Sequence, residues 1–393
     1  MDPRTNPYAP GAGAPPPELA GRDTIIESAS IALHRIRSGL VARSLMLIGL
    51  RGVGKTVLLN RIRNDAEAEG CATMLLEAPE RRSLPALLAP GLRAALLRLD
   101  RVAAGGERVR RALRALGGFV QAMKVKYEDI EFGIDLGVEH GVADTGDLDA
   151  DLSALLQAVG EAARERKTLL AMFVDELQYV AEPQLAALIS ALHRCAQLQL
   201  PVTLIGAGLP QLPGQLGEAK SYAERLFEFV EVGALPNDAA RQAIIAPASR
   251  AGVAFTAAAL DEILRQTGGY PYFLQEWGKH AWDCADASPI TIDDVRRASE
   301  RAIAELDMSF FRVRFDRLAP SEKRYLRAMA ELGPGPHRSG DIAQAMGREV
   351  QTVAPIRAKL IDKGMIYSPS HGDTSFTVPL FDGYMRRVMP RLE

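Results

Sequence analysis

The sequence predicts an α/β core on a parallel sheet, an all-helical unit behind it, and a last unit of three helices and a hairpin. Three observations carry this reading. Short continuous apolar runs (SLMLIGL at 44–50, LLAMFV at 169–174, VTLIGA at 202–207) alternate with longer amphipathic stretches, the pattern of strands buried on both faces between crossover helices. The first run ends in a glycine-rich loop that opens onto a helix. After residue 235 the apolar runs stop and only helical spacing remains, to about residue 306. A length of 393 residues allows two or three domains.

In chain order, Ile25, Ile26, Ile31, Leu33 and Ile36 fall on one face of a helix within 23–43, before the strand at 44–50. A helix follows over 55–68, a second strand over 72–77 and a helix over 84–99. Within 100–147, Val125, Tyr127, Ile130, Phe132, Ile134 and Leu136 alternate with charged and polar residues, which predicts a β-hairpin between helices. A helix over 147–166 starts at an aspartate, favourable to its dipole. It feeds a third strand (169–174), a helix (183–197), a fourth strand (202–207) and a fifth (227–235). Alternation of this kind specifies a three-layer core with right-handed crossovers. Residues 236–306 read as helices broken at Gly252, Gly268-Gly269 and Ser288-Pro289. Beyond 309, helices over 321–332, 339–346 and 351–363 precede strands at 365–368 and 375–378, joined at His371-Gly372-Asp373. That order is the winged helix-turn-helix order. Pro355 requires the third helix to begin close before it.

The expected organisation is an N-terminal segment (1–22), a core (23–235), a helical lid (236–306) and a C-terminal winged helix (309–393). With 47% hydrophobic and 24% charged residues, collagen-like, disordered and membrane-dominated classes drop out. No apolar run reaches the roughly 18 to 20 residues that span a bilayer. The Pro/Gly/Ala-rich N-terminus lacks the basic and apolar regions of a secretion signal and by composition alone reads as a disordered tail. Cys71, Cys195 and Cys284 are too few and too far apart for a disulfide framework or a C-x-x-C metal site, and a reducing cytoplasm fits them. The net charge of −2 argues against a uniformly basic coat. It is a sum of unlike parts: residues 309–393 hold 14 Lys+Arg against 9 Asp+Glu, a charge of +5, which leaves −7 on the rest.

Gly49-Leu50-Arg51-Gly52-Val53-Gly54-Lys55-Thr56 fits G-x-x-x-x-G-K-[ST]. Gly52 and Gly54 let the backbone curl so that successive N–H groups, including that of Val53, point inward at phosphates, and a helix N-terminus adds positive charge. Lys55 reaches the β- and γ-phosphates and Thr56 holds Mg²⁺. Arg51 reads as a solvent-facing side chain. The strand at 169–174 emerges as Asp175-Glu176, with Asp175 placed for the metal shell and Glu176 as general base toward the attacking water. ATP and Mg²⁺ are the implied ligands. His34, His193 and His280 read as packed or surface histidines, and Trp277 and Trp282 as lid core.

With an additional strand between the loop strand and the Asp-Glu strand, and helices after the sheet, the chain resembles the AAA+ and STAND ATPases. It looks most like the Orc1/Cdc6-like branch, which couples such a core to a winged helix. The likeness spans nearly the whole chain, with 100–147 least explained. Asn6-Pro7-Tyr8 and Leu19-Ala20-Gly21-Arg22-Asp23 resemble the segment lining the adenine pocket, which implies roles for Tyr8 and Arg22. Gly268-Gly269-Tyr270-Pro271-Tyr272 resembles the lid turn that brings Pro271 to the base. Glu224-Arg225-Leu226-Phe227 resembles the site of an arginine finger; an ion pair of Arg225 with Glu224 or Glu228 is the other reading. Two departures stand out: Leu204-Ile205-Gly206-Ala207-Gly208 carries no polar sensor beyond Thr203, and no arginine follows the lid glycines. Both tilt the expectation toward slow hydrolysis acting as a switch.

Arg348, Arg357, Lys359 and Lys363 fall on or beside the third C-terminal helix, where they could meet the phosphates and bases of double-stranded DNA. The alternative is a regulatory adaptor that docks proteins through the same module, with these charges a solvated face. A homo-oligomer or protein partner fits either reading, and a membrane fits neither.

Overall fold

In the computed structural model, which describes residues 1–11, 13, 15–78, 83–102, 106–124, 141–370 and 372–392, the apolar runs form one parallel sheet. Helix α1 (Asp23–Arg37) leads into β1 (Ser44–Ile48), α2 (Lys55–Ala68), β2 (Ala72–Glu77), α3 (Leu84–Val102) and α4 (Glu107–Ala122). Then come α5 (Leu148–Glu165), β3 (Leu170–Asp175), α6 (Glu182–Gln197), β4 (Val202–Gly208), the short α7 (Leu212–Ala219) and α8 (Ala223–Leu226), and β5 (Phe227–Glu231). The strand order is β2-β3-β4-β1-β5, and every pairing is parallel. The hairpin expected over 125–136 lies outside the described residues.

Strand alternation divides the core in two. Leu45, Leu47, Ala171, Phe173, Ile205 and Ala207 face α1 and α2, whereas Met46, Leu170, Met172, Val174 and Leu204 face α3 to α6. Each strand therefore feeds two cores, which is why β1, β3 and β4 are apolar at almost every position. Asp147 caps α5, its side chain accepting the Ala150 N–H at 2.9 Å. Helix α4 was not singled out in the sequence, yet Val109, Ala112, Leu113, Leu116 and Phe119 are buried at helical spacing. The fifth strand is shorter than expected. After Val232 donates to Ile48 O at 2.7 Å, the chain turns away at Gly233.

Four helices follow: α9 (Asn237–Arg250), α10 (Ala257–Thr267), α11 (Pro271–Cys284) and α12 (Ile292–Leu306). Thr256 caps α10, and Thr291 with Asp294 forms a reciprocal capping box on α12. Trp277 is fully buried and donates to Ser299 Oγ at 2.9 Å. Trp282 is also buried, and its indole N–H binds Asp2 O at 3.0 Å, so the first residues lie against this bundle. Gly268 caps α10 in a left-handed conformation and Gly269 follows at φ +71°; a Cβ on Gly269 would meet Leu235 O at 2.6 Å, and Gly269 O accepts the Leu235 N–H. The paired glycines thus fasten the bundle to the chain leaving the sheet.

A π-helical turn (Asp307–Phe311) continues into α13 (Arg312–Asp316). Next come α14 (Pro320–Glu331), β6 (His337–Arg338), α15 (Ser339–Ala345), α16 (Val350–Asp362), β7 (Ile366–Tyr367), β8 (Asp373–Phe376) and α17 (Phe381–Val388). The three helices and hairpin of the sequence reading are here, with two additions. Strand β6 joins the hairpin in an antiparallel β6-β8-β7 sheet, and α17 buries Phe381, Tyr384 and Met385. Pro355 falls in the second turn of α16 rather than its first, where it removes the N–H that would bond Gln351.

Gly206 sits at the centre of the sheet, where an added Cβ would lie 2.3 Å from Leu177 Cδ1 and 2.6 Å from Met46 Sδ. Gly206→Ala is expected to destabilise the fold by about 1–3 kcal/mol through overpacking. Urea unfolding with an unchanged slope and a lower midpoint is the readout.

Candidate functional site

Loop 49–54 leaves the buried end of β1 and delivers Lys55 and Thr56 as the first residues of α2. Gly52 and Gly54 both have positive φ (+84° and +91°), which an L side chain rarely adopts. Gly52 is also crowded, since a Cβ would approach Tyr270 and Tyr272 at 3.2 Å. Lys55 is buried, its ammonium curled onto Gly49 O and Leu50 O at 2.8 Å each. Burial pulls its pKa down to about 8 against the pull of Glu176 and Asp175. An ammonium held only by carbonyls in the mouth of such a loop is poised for an anion.

The second wall is the end of β3. Thr56 Oγ1 donates to Asp175 Oδ2 at 2.5 Å, and the Glu176 N–H binds Asp175 Oδ1 at 2.8 Å. Burial first, and then the neighbouring Glu176, raise the Asp175 pKa, with the Thr56 bond opposing them. Glu176 adopts a left-handed conformation (φ +55°), a strained geometry for a residue with a Cβ that turns the chain sharply beside the loop. Its carboxylate accepts from the Gln178 amide, whose oxygen in turn accepts the Leu209 N–H at 3.1 Å.

Between loop, helical bundle and N-terminal segment lies a cavity of about 370 Å³. Gly52, Val53, Gly54, Lys55, Thr56, Arg22, Glu176 and Pro271 line it, whereas Gly49 and Asp175 stand behind its wall. Pro10, Leu19, Ala20, Leu235, Ala243 and Leu274 give it an apolar end. Arg22 is buried, with bonds to Gly233 O at 2.5 Å and Val53 O at 3.3 Å. Tyr8 is placed otherwise than expected. It is absent from the lining, because its ring packs against Gly278 of α11 and its hydroxyl binds Ile244 O at 2.5 Å, so it anchors the segment whose residues Ala9 to Gly11 reach the cavity. The N-terminal segment is therefore packed structure rather than a loose tail. Arg225 is exposed on α8, outside the lining, and Glu228 pairs with Arg43 instead of with it.

Four lining or supporting residues escaped the sequence reading. Gln178 stands where a sensor from β4 was sought, its oxygen 2.9 Å from where a Gly208 Cβ would be. Gln275 is buried in the lining with its Oε1 unpartnered, an acceptor for a base amine. Tyr272 and Arg314 complete the wall, Arg314 from beyond the helical bundle. Tyr272 lies within the Gly-Gly-Tyr-Pro-Tyr turn, and no local pattern marks the other three. Arg51 likewise is not solvent-facing: its guanidinium binds Tyr179 Oη at 2.5 Å.

The four C-terminal cations divide evenly. Arg357 is held by Thr374, Ser368 and Asp373 O, and Lys363 by Glu322 at 2.7 Å and Arg317 O. Arg348 and Lys359 are exposed, and their side chains make no hydrogen bond or ion pair among the described residues.

Residues 18–205, which contain the loop, the Asp-Glu strand and Arg22, match the family model described as an AAA ATPase domain. Residues 18–205 are an AAA ATPase domain. Residues 308–385 match a second model, described as a domain of unknown function, DUF8462. A search of curated proteins finds no match. Among solved structures, a Walker-type ATPase of Pyrococcus abyssi is similar at 14% identity, over 94% of this chain and 96% of that one, with a TM-score of 0.60. The Orc1 protein of Aeropyrum pernix in complex with DNA aligns at 15% identity over 94% and 93%, TM-score 0.46. The RuvB Holliday junction branch migration motor of Thermotoga maritima aligns at 18% over 91% and 92%, TM-score 0.45. The first of these shares the fold.

In the AAA+ domain the donor set suits magnesium: Thr56 hydroxyl and Asp175 carboxylate are hard oxygens within 2.5 Å of each other, and Mg²⁺ takes one or two such groups with waters and phosphate oxygens. Thr56 and Asp175 would hold it, and it would neutralise phosphate charge. Lys55 must be protonated to meet phosphate, and a bound polyanion raises its pKa above the value of the empty loop. The complex then holds a proton that the free protein loses above about pH 8. ATP affinity is expected to be flat below that pH and to fall by up to about tenfold per unit above it. Titration with a fluorescent ATP analogue across pH is the check.

Proposed function

We propose that this chain binds and slowly hydrolyses Mg-ATP, and that the nucleotide acts as a conformational switch on a C-terminal winged helix that meets double-stranded DNA. The observation that carries the ATPase reading is the convergence on one cavity of Lys55, Thr56 and Glu176, with Asp175 bonded to Thr56 from behind the wall. Lys55 and the loop N–H groups take the phosphates, and Glu176, oriented by Gln178, accepts the proton of the attacking water. The apolar end beside Pro271 and Leu274 suits a purine, with Gln275 Oε1 positioned to accept from the adenine amine. Slow turnover is supported by what surrounds these groups. The end of β4 offers glycines rather than a polar side chain, and Arg225 lies away from this chain's own cavity, where only a neighbouring subunit's site could use it.

Lys55→Ala is expected to abolish the rise in melting temperature that Mg-ATP gives the wild type. Glu176→Gln should keep that rise and lose turnover by roughly 10²- to 10⁴-fold in a phosphate-release assay. A Glu176→Gln protein that hydrolyses ATP at the wild-type rate would remove Glu176 from the chemistry.

The helix order α14, α15, α16 with the β6-β8-β7 sheet supports the winged-helix reading, and Arg348 and Lys359 are the cations left for DNA. The engagement of Arg357 and Lys363 within the module favours a second reading, an adaptor that docks protein there. Anisotropy of labelled duplex DNA over a salt series separates them. Two free cations predict a slope of about −2 for log K against log salt. No measurable binding at low salt leaves the adaptor.

A further inference from the structure

The cavity has a wall that neither the AAA+ domain nor the helical bundle supplies. Phe310 and Arg314, from the segment entering the C-terminal module, line it beside loop residues 51–57. Phe310 stacks on Tyr272 at 4.8 Å, and the Arg314 guanidinium lies over the Phe310 ring at 3.9 Å with one amine bound to Phe310 O at 2.5 Å. Neither Arg314 nor Arg51 pairs with a carboxylate among the described residues. Burial first, and then Arg51, push the Arg314 pKa down to about 10, so the two cations repel each other in a poorly solvated place. Two half-buried cations set side by side are costly unless an anion meets them.

The same loop is gripped by the end of the module. The Arg51 N–H donates to Thr377 O at 3.3 Å, and Thr377 Oγ1 in turn binds Gly364 O at 2.6 Å. Gly364 lies so near the Arg51 guanidinium that a Cβ would stand 2.8 Å from it. Docking of the module therefore brings Arg314 and Arg51 together, and the repulsion between them opposes docking until a polyanion enters.

We propose that Arg314 is a ligand of the nucleotide's phosphates supplied by the C-terminal module, and that the charge of the bound phosphates sets how tightly the module docks on the loop. This rests on the reading of the cavity as an ATP site. ATP carries more charge than ADP and clamps the module; loss of the terminal phosphate weakens the clamp and loosens the hold of the module on the loop. The switch thus runs through an arginine outside the lid, which the lid itself lacks after its paired glycines.

The test uses the full chain with Mg-ATP or Mg-ADP, comparing wild type with Arg314→Met, which keeps packing over Phe310, and Arg314→Lys, which keeps the charge. Arg314→Met is expected to weaken ATP binding by about tenfold and ADP binding by less, with Arg314→Lys in between. Amide hydrogen exchange over 364–378 should slow on adding ATP to the wild type, less with ADP, and not respond to ATP in Arg314→Met. Wild-type affinity of Arg314→Met for both nucleotides, or nucleotide-blind exchange in the wild type, overturns the proposal while leaving the ATP site standing. A wild type that binds neither nucleotide overturns both.

Discussion

Three hydrogen bonds converge on the backbone of Arg51 and Gly52. The Tyr270 hydroxyl donates to Arg51 O, the Tyr272 N–H donates to Gly52 O at 3.2 Å, and Thr377 O accepts the Arg51 N–H. Two come from the helical bundle and one from the C-terminal module, so a turn two residues long is where three parts of the chain meet. A glycine-rich loop on its own is a poor scaffold, because glycine gives up more conformational freedom on folding than any other residue. Here its polar groups are pinned from outside, and the Gly52 Cα leaves just enough room for the two tyrosines. Any change in what the loop holds is felt by both neighbours, because there is no slack between them.

Much of this was legible in the sequence. The bounds of α2 and β2 fall where periodicity and glycine placed them, and the alternation of β1, β3 and β4 between two cores follows from their unbroken apolar runs. Lys55, Thr56, Asp175 and Glu176 come together because motif spacing and strand ends are local properties. What escaped is non-local. Gln178 reaches Glu176 only because Glu176 turns left-handed, and Arg314 reaches the cavity only because a π-helical turn and the Phe310–Tyr272 stack carry α13 back to the loop. Helix α17 was missed for a related reason: its burial is completed by Phe311 and α14, far upstream of it. Tyr8 is the converse case: the resemblance implied a cavity role for its side chain, which instead packs on Gly278 while Ala9 to Gly11 line the wall.

The two departures from the AAA+ pattern find partial answers in packing. The end of β4 holds no polar sensor because Gly206 and Gly208 make room for Leu177, Leu212 and Gln178, and it is Gln178 that brings an amide to Glu176. The polar group has moved from one strand end to the turn after its neighbour. The missing arginine after the lid glycines has its place taken by Tyr270 and Tyr272, which spend their backbone and hydroxyl groups on the loop instead.

The sheet also acts as a partition. On one side a single apolar cluster runs from α1 and α2 through the helical bundle into the C-terminal module; on the other, α3 to α7 form a cluster of their own. Helices α4 and α5 both pack in this second cluster, a full layer of strands away from α1, α2 and the bundle. The far side is thus where the molecule has latitude: its packing can change without touching the cluster that keeps the loop, the bundle and the C-terminal module in register.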